Sequence, residues 1–317
     1  MAARRFIAIT GGVGGAKLAL GLTQLLSPVE ISFVVNTGDD FEHLGLHVSP
    51  DIDTLVYTLS GQSNTEVGWG RRGETWQFMH ALREFGGETW FNLGDLDLAM
   101  HVRRTQRLRE GATLTAVTRE LAVALGVEYD VLPMSDAPVR TMIGTPDGEL
   151  AFQHYFVRDR CAPTVTGFRF AGAESARLSP QIVGRLSDPS LAGIIVCPSN
   201  PFVSVDPVLA VPGMRRQLAA AGVPIVAVSP IVAGLAIKGP TAKMMTELKI
   251  PNSAVAVAAH YRDLVDGFVI DEQDAALEAD VAALGLRTVV AQTVMLSLAD
   301  RKQLAADVLQ FVSRLNK

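Results

Sequence analysis

The chain has 317 residues, 48% hydrophobic and 19% charged, a balance that fits a compact globular protein and excludes a disordered or coiled-coil one. The length exceeds a usual single core, so one large α/β domain with an insertion, or two domains, is expected. The formal net charge of −5 lacks the strongly basic balance expected of a general DNA or RNA binder, and the two cysteines, Cys161 and Cys197, have neither Cys-x-x-Cys nor zinc spacing, which points to a reducing cytoplasm.

Arg4 and Arg5 precede an apolar run, Phe6 to Thr10, that stops at glycines too early for a signal-peptide core. Without alternation, the run predicts a parallel strand buried on both faces. It leads into Gly11-Gly12-Val13-Gly14-Gly15-Ala16-Lys17, a helix carrying Leu18, Leu20, Leu22 and Leu25, and a second strand over Glu30 to Val35. This is a βαβ unit. Closely spaced glycines let backbone amides approach a phosphate, and the helix N-terminus adds a positive dipole end. The turn is either such a cradle or a tight packing turn. Gly12-x-Gly14-x-x-Lys17 lacks the last glycine of the dinucleotide fingerprint, and Gly15-Ala16-Lys17-Leu18 lacks the Gly-Lys-Ser/Thr of a Walker loop, so an ordinary dehydrogenase or P-loop ATPase is not expected.

Asn36-Thr37-Gly38-Asp39-Asp40 and Ser49-Pro50-Asp51-Ile52-Asp53-Thr54 bring four aspartates together in loops. Such hard oxygen ligands suit Mg²⁺ or Ca²⁺, and magnesium takes one or two carboxylates plus substrate phosphate oxygens. Asp51 or Asp53 is otherwise a cap for the helix through Leu55, Val56 and Leu59.

From about Gly61 to Thr118 the spacing turns helical, with Trp69, Trp76, Trp90 and many arginines, which predicts a lid or side wall. Trp90-Phe91-Asn92-Leu93, followed by Gly94 to His101, is a polar patch after an aromatic pair, suited to an acceptor ring; Asp95 or Asp97 as an N-cap is the alternative. His47, His80 and His154 have no zinc spacing. Val131 to Phe170, including the alternating Leu150 to Val157, predicts β structure outside the central core.

The doubly wound pattern resumes with a strand over Gly193 to Cys197, a helix over Met214 to Ala221 and a strand over Pro224 to Val228, and it closes with the segments Asp280 to Leu284 and Arg287 to Val290 and a helix over Ala299 to Leu315. Strand ends carry the ligand site in such sheets, and here they include Pro198-Ser199-Asn200-Pro201 and Ser229-Pro230-Ile231. Neither serine stands in a Gly-x-Ser-x-Gly elbow, so a hydrolase triad is not expected. The apolar stretches Leu218 to Val228 and Ala254 to Ala259 fall short of a bilayer span, so no membrane partner is expected. The fold class is therefore α/β, a Rossmann-like doubly wound parallel sheet with a mainly helical insertion. Residues 1–60 and 186–317 would form the nucleotide-binding core and 61–185 the inserted helical and small β region on the acceptor side.

Together, Gly11 to Lys17, Val35 to Asp40, Ser49 to Leu59, Gly68-Trp-Gly-Arg-Arg-Gly-Glu-Thr-Trp76, Trp90 to Asp95, Pro198 to Pro201 with Pro212-Gly-Met214, and Ser229 to Ile231 with Gly234 resemble the 2-phospho-L-lactate transferase family of coenzyme F420 biosynthesis. The motifs span most of the chain in order; Asn92 and Leu96 depart from the family pattern on the acceptor side. The resemblance implies a Mg²⁺-dependent transfer of a phospho-organic acid from a guanosine diphosphate-linked donor to the deazaflavin Fo, releasing GMP, by a homodimer. It implies that Gly11, Gly12, Gly14, Gly15, Lys17, Asn36, Ser199 and Asn200 hold the donor phosphates, that Asp39, Asp40 and Asp53 hold or neighbour the metal, and that Asp53 and Asn92 contact Fo. Asp53 is the expected catalytic carboxylate. A non-catalytic nucleotide-sugar-binding regulator, similar to the gluconeogenesis factor proteins, is the alternative; the Ser49 to Asp53 and Gly68 to Trp76 strings favour the transferase.

Overall fold

The computed structural model describes residues 4–64, 70–237 and 239–316; Gly68 and Trp69 of the tryptophan-containing string lie outside the described residues. The predicted βαβ start forms as β1 (Arg5–Thr10), α1 (Gly12–Thr23) and β2 (Ile31–Val35). Both strands are apolar because both faces are covered. Phe6 and Ala8 of β1 pack on one side with Leu18, Leu22 and Val56, while Ile7 and Ile9 pack on the other with Val205, Met214 and Ala258. Leu18 is fully buried, and cutting such a side chain back to alanine costs about 2–5 kcal/mol.

A small hairpin of β3 (Phe41–His43) and β4 (Leu46–Val48) leads to α2 (Pro50–Leu59), then α3 (Gln77–Glu84), α4 (Asp95–Arg109) and α5 (Leu114–Ala124). Next come β5 (Asp130–Pro133), the antiparallel strands β6 (Arg140–Thr145), β7 (Gly148–Ala151) and β8 (Gly167–Ala171), and α6 (Pro180–Leu186). The second half runs β9 (Leu191–Val196), α7 (Asp206–Ala210), α8 (Met214–Ala220), β10 (Ile225–Val228), the hairpin β11 (Ile231–Val232) and β12 (Leu235–Ala236), α9 (Thr241–Glu247) and α10 (Ala254–Tyr261). It ends with β13 (Gly267–Asp271), α11 (Glu278–Ala282), β14 (Arg287–Ala291) and α12 (Leu298–Leu315).

The central sheet has seven strands in the order β14-β13-β10-β9-β1-β2-β5, and every neighbouring pair is parallel. The order reverses between β1 and β9, which puts the glycine turn and the Pro198–Pro201 segment side by side at the switch point, where open α/β sheets bind ligands.

The inserted region differs from expectation in two places. Within 61–185, β5 belongs to the central sheet, registered from Ser32↔Asp130 to Val35↔Pro133; a four-residue strand ending at a proline has too short an apolar run to reveal itself. The expected strand over Leu150 to Val157 stops at Ala151, and a single π-helical turn over His154–Arg158 follows. Phe152 and Tyr155 are both buried there, a helical spacing that overrides the alternation.

Candidate active site

One cavity of about 660 Å³ opens at the switch point, lined by the glycine turn, the first turn of α2, the Trp90–Asn92 segment, α4, the 198–204 segment, the β11–β12 hairpin and residues 293–295. Gly11, Gly12, Gly14, Lys17, Asp39, Asp53, Asn92, Ser199 and Asn200 all face it.

The glycine turn lets α1 start at the very end of β1. Gly12 has φ +65, which L side chains rarely adopt. A Cβ on Gly14 would sit 2.5 Å from the Pro198 carbonyl oxygen, so two strand ends approach here as only glycine allows. Ser199 Oγ accepts from the Gly11 amide at 3.1 Å and donates to its carbonyl at 2.8 Å, clamping turn to strand end. Asn200 Oδ1 accepts from the amides of Phe202 and Val203, so its side chain shapes the turn that follows. Lys17 Nζ donates to the Met295 carbonyl at 2.9 Å, tying α1 to the opposite wall.

Gly15, Asn36 and Asp40 do not line the cavity. Gly15 packs helix on strand, where a Cβ would lie 2.3 Å from Thr10 Oγ1. Asn36 lies behind the site, fully buried, and its amide donates to Asp39 Oδ1 and Asp51 Oδ2 at 2.9 Å each. Asp40 turns away, accepting from Ser49 Oγ at 2.9 Å and lying 3.1 Å from His47 Nε2. Its neighbour Asp39 faces the ligand space instead.

Asp39 and Asp51 therefore form a buried carboxylate pair under the cradle, with Asp51 Oδ1 also accepting from the Gly12 amide at 2.7 Å. Burial, and then its proximity to Asp51, hold Asp39 well above the usual carboxylate range. Burial pushes Asp51 up to about 6 against the hydrogen bonds from Asn36 and Gly12. Among the described residues no arginine or histidine forms an ion pair with either. A pair of buried oxygen ligands that resist ionisation is what a hard divalent cation relieves, so these residues fit Mg²⁺.

A second cluster joins α2 to α4. Arg104 is fully buried, and its guanidinium grips both Asp53 oxygens, through Nη2 to Oδ1 and through Nη1 to Oδ2 at 3.1 Å. His101 Nδ1 lies 3.7 Å from Asp53 Oδ2 and its Nε2 lies 3.2 Å from Asp97 Oδ2. Tyr57 donates its hydroxyl proton to Asp97 at 2.5 Å. Burial raises Asp53 in spite of Arg104. For Asp97 burial pulls upward too, but the adjacent His101 ring and the hydrogen bond from Tyr57 outweigh it and its carboxyl is held low. Asp53, Asp97 and His101 are close enough to share an ion. Arg104 already neutralises Asp53, however, so Asp53 is better placed as an orienting carboxylate than as a metal ligand.

Sequence reading grouped Asp51 with the other three aspartates without singling it out as the partner of Asp39, and it placed Asp97 and His101 in an acceptor-side patch without joining them to Arg104 and Asp53; of these, Asp97, His101 and Arg104 form the helical cluster. The last three stand at i, i+4 and i+7, one face of α4, which was the available signal. Trp90 and Phe91, which also line the cavity, form an aromatic wall with Phe41 and His43, with ring centroids 4.8 to 5.9 Å apart, and His154 packs on Trp90 at 4.9 Å.

The family model 2-phospho-L-lactate transferase CofD matches residues 6–311. A phosphoenolpyruvate transferase of Streptomyces griseus subsp. griseus is 40% identical over 289 residues, covering 89% of this chain and 90% of its own. A 2-phospho-L-lactate transferase of Methanosarcina mazei is 38% identical over 304 residues, 96% of this chain and 99% of its own. Among solved structures, a UPF0052 family member from Bacillus halodurans superposes with a TM-score of 0.63 at 15% identity over 98% of this chain and 99% of its own, a likeness of fold.

Proposed function

The chain belongs to the 2-phospho-L-lactate transferase CofD family, transferases of coenzyme F420 biosynthesis, and we propose that it moves the phospho-organic-acid half of a guanosine diphosphate-linked donor to Fo and releases GMP. The observation that carries this reading is that one cavity is lined together by the glycine turn at the switch point, by the aromatic Trp90–Phe91 pair and by the buried Asp53 carboxylate. A transfer needs room for donor and acceptor together. A regulator that only senses a nucleotide has no use for the aromatic wall or for a buried carboxylate on the same cavity.

In this reading the donor diphosphate lies on the turn of Gly11, Gly12 and Gly14, and the flat deazaflavin rests on Trp90 and Phe91 with Asn92 at its rim. A terminal ribityl hydroxyl of Fo attacks the phosphorus that bears the organic acid; a new P–O bond forms, the P–O bond to the GMP phosphate breaks, and the hydroxyl proton passes to Asp53. Arg104 fixes the Asp53 carboxylate in direction and keeps it available as a base. Asp39 and Asp51, aligned by Asn36, would hold Mg²⁺, which when bound supplies charge neutralisation for the diphosphate.

Charge supports the metal requirement. Four aspartates, Asp39, Asp51, Asp53 and Asp97, line a cavity that must accept an anionic diphosphate and a carboxylate. No helix among the described residues is long and apolar enough to cross a membrane, and we place the enzyme in the cytoplasm as a homodimer. The test is incubation with Fo, Mg²⁺ and guanosine diphosphate-linked phospholactate, phosphoenolpyruvate or phosphoglycerate, followed by mass detection of GMP and the phosphodiester product. Formation of both products from one donor supports the reading; no product from any donor refutes it.

A further inference from the structure

Asp97 lines the same cavity as Asp53, Trp90, Phe91 and Asn92, and the transfer step leaves it without a role. Oxygens of Asp53 and Asp97, with a ring nitrogen of His101, lie within 4.8 Å of one another. The two carboxylates are held differently. Arg104 engages both oxygens of Asp53. Asp97 accepts from the Tyr57 hydroxyl through Oδ1 at 2.5 Å, and its Oδ2 lies 3.2 Å from His101 Nε2.

Arg104 also sets the proton of that ring. An arginine nitrogen only donates, and Arg104 Nη1 lies 3.2 Å from His101 Nδ1. Nδ1 is therefore the accepting nitrogen, and the ring proton sits on Nε2, on the side of Asp97. Asp97 also stands in the first turn of α4, where the helix dipole favours a negative charge. Its carboxyl is held low by these partners against burial, whereas burial, with the Asp97 charge adding to it, raises Asp53. The carboxylate held high takes a proton; the one held low stays an acceptor of hydrogen bonds. A carboxylate has about four acceptor positions. Tyr57 and His101 account for two, and the Asp97 side chain remains 17% exposed.

We infer, resting on the transfer to Fo proposed above, that Asp97 recognises a second hydroxyl of the acceptor, the one on the carbon next to the attacking hydroxyl. At hydrogen-bond lengths of about 2.7 Å, two carboxylate oxygens no more than 4.8 Å apart are within reach of hydroxyls on adjacent carbons. The ribityl chain of Fo presents such a pair. With the inner hydroxyl donating to Asp97, the last carbon–carbon bond of the chain is held in one staggered position, and the terminal hydroxyl is directed at Asp53. Asp97 thereby selects a polyol chain over a lone alcohol. Tyr57 and His101 do not touch the acceptor; they are positioning residues that aim Asp97.

The test is equilibrium binding by calorimetry, with Fo and with an Fo analogue that lacks only the hydroxyl next to the terminal one. Wild type is expected to bind Fo about 10- to 100-fold more tightly than the analogue, the worth of one hydrogen bond to a charged group. Asp97→Ala is expected to bind the two alike, and Tyr57→Phe to show a reduced preference. GDP affinity reports whether each variant folds. Should Asp97→Ala fail that check, Asp97→Asn decides: it keeps the volume, but Tyr57 and His101 compete for its single oxygen, so the preference is again expected to be lost. A wild type that binds no Fo overturns both the transfer to Fo and the role of Asp97. A wild type that binds Fo and the analogue equally overturns the role of Asp97 and leaves the transfer standing. An undiminished preference in a folded Asp97 variant, with both ligands weakened equally, makes Asp97 merely structural and overturns the inference.

Discussion

Arg104→Met removes the cation from a pair in which Arg104 is wholly buried and the Asp53 side chain is 8% exposed, while the methionine keeps most of the arginine's apolar stem in place. Removing one partner of a buried pair leaves an uncompensated charge and costs about 3–5 kcal/mol. The loss should depend on pH, with a sign the structure sets. Asp53 is already raised above its ordinary value by burial, and Arg104 is the largest influence opposing that rise. Without Arg104 the folded-state value climbs further. A carboxyl whose folded value exceeds its unfolded one, about 3.9, binds protons more tightly when folded, so stability falls as pH rises from there through the folded value and is then level. The variant should be least destabilised in acid and most at neutral pH, as read by urea unfolding across that range. The acid limb of its transfer rate should move to higher pH, because Asp53 must be ionised to act. Asp53→Asn/Arg104→Met, which has no charge left to strand, should be more stable at neutral pH than Arg104→Met alone. A destabilisation that is the same at every pH would refute the assignment of Arg104 as the counter-ion that keeps Asp53 ionised.

Asp53→Asn should lower kcat by about 10²–10⁴-fold with donor affinity nearly unchanged, measured as turnover against equilibrium nucleotide binding; wild-type turnover would remove the base role. Gly14→Ala drives a Cβ to 2.5 Å from the Pro198 oxygen and should weaken the donor by about 1–3 kcal/mol through its KM, leaving the KM for Fo in place. Trp90→Ala should do the reverse, raising the KM for Fo by the equivalent of about 0.5–1.5 kcal/mol. Chelation should abolish transfer and Mg²⁺ should restore it in wild type; in Asn36→Ala, where Asp39 and Asp51 lose the amide they share, the Mg²⁺ concentration for half-maximal rate should rise. Full activity in excess chelator would contradict the Asp39–Asp51 assignment.

How much of this was legible in the sequence follows from the range over which each feature is specified. β1, the glycine turn and β2 are local: a doubly buried strand is an unbroken apolar run, and a helix starting at a strand end needs glycine, so both patterns are visible in a dozen residues. The same holds for Trp90-Phe91-Asn92, whose aromatic pair is consecutive. Asp39 and Asp40 show where local reading stops. Adjacent residues after a strand point in different directions, and which one faces the ligand depends on Asn36 holding Asp39 and on Ser49 and His47 holding Asp40. Neither tie can be read from the Asn36–Asp40 string itself. β5 was hidden for a related reason, since Asp130-Val-Leu-Pro133 is recognisable as a strand only through its register with β2.

The α2–α4 cluster lies furthest from what a linear reading reaches, and it explains why the helical insertion stands where it does. The first turn of α2 carries Asp51 toward the cradle and Asp53 toward α4, so a single helix N-terminus serves both halves of the cavity. Asp53 cannot stay ionised in that buried position by the helix dipole alone, which contributes typically 0.3–1 kcal/mol against a desolvation penalty of several. It needs a cation brought in from elsewhere. Arg104 is that cation, reaching Asp53 from α4, which packs on β4 and α5, and the same helix carries Asp97 and His101 to the cavity wall, with the Trp90–Asn92 segment just before it lining the same cavity. The insertion is thus tied to the core by the same ion pair that readies the carboxylate, and the acceptor wall inherits its position from the electrostatic need of Asp53.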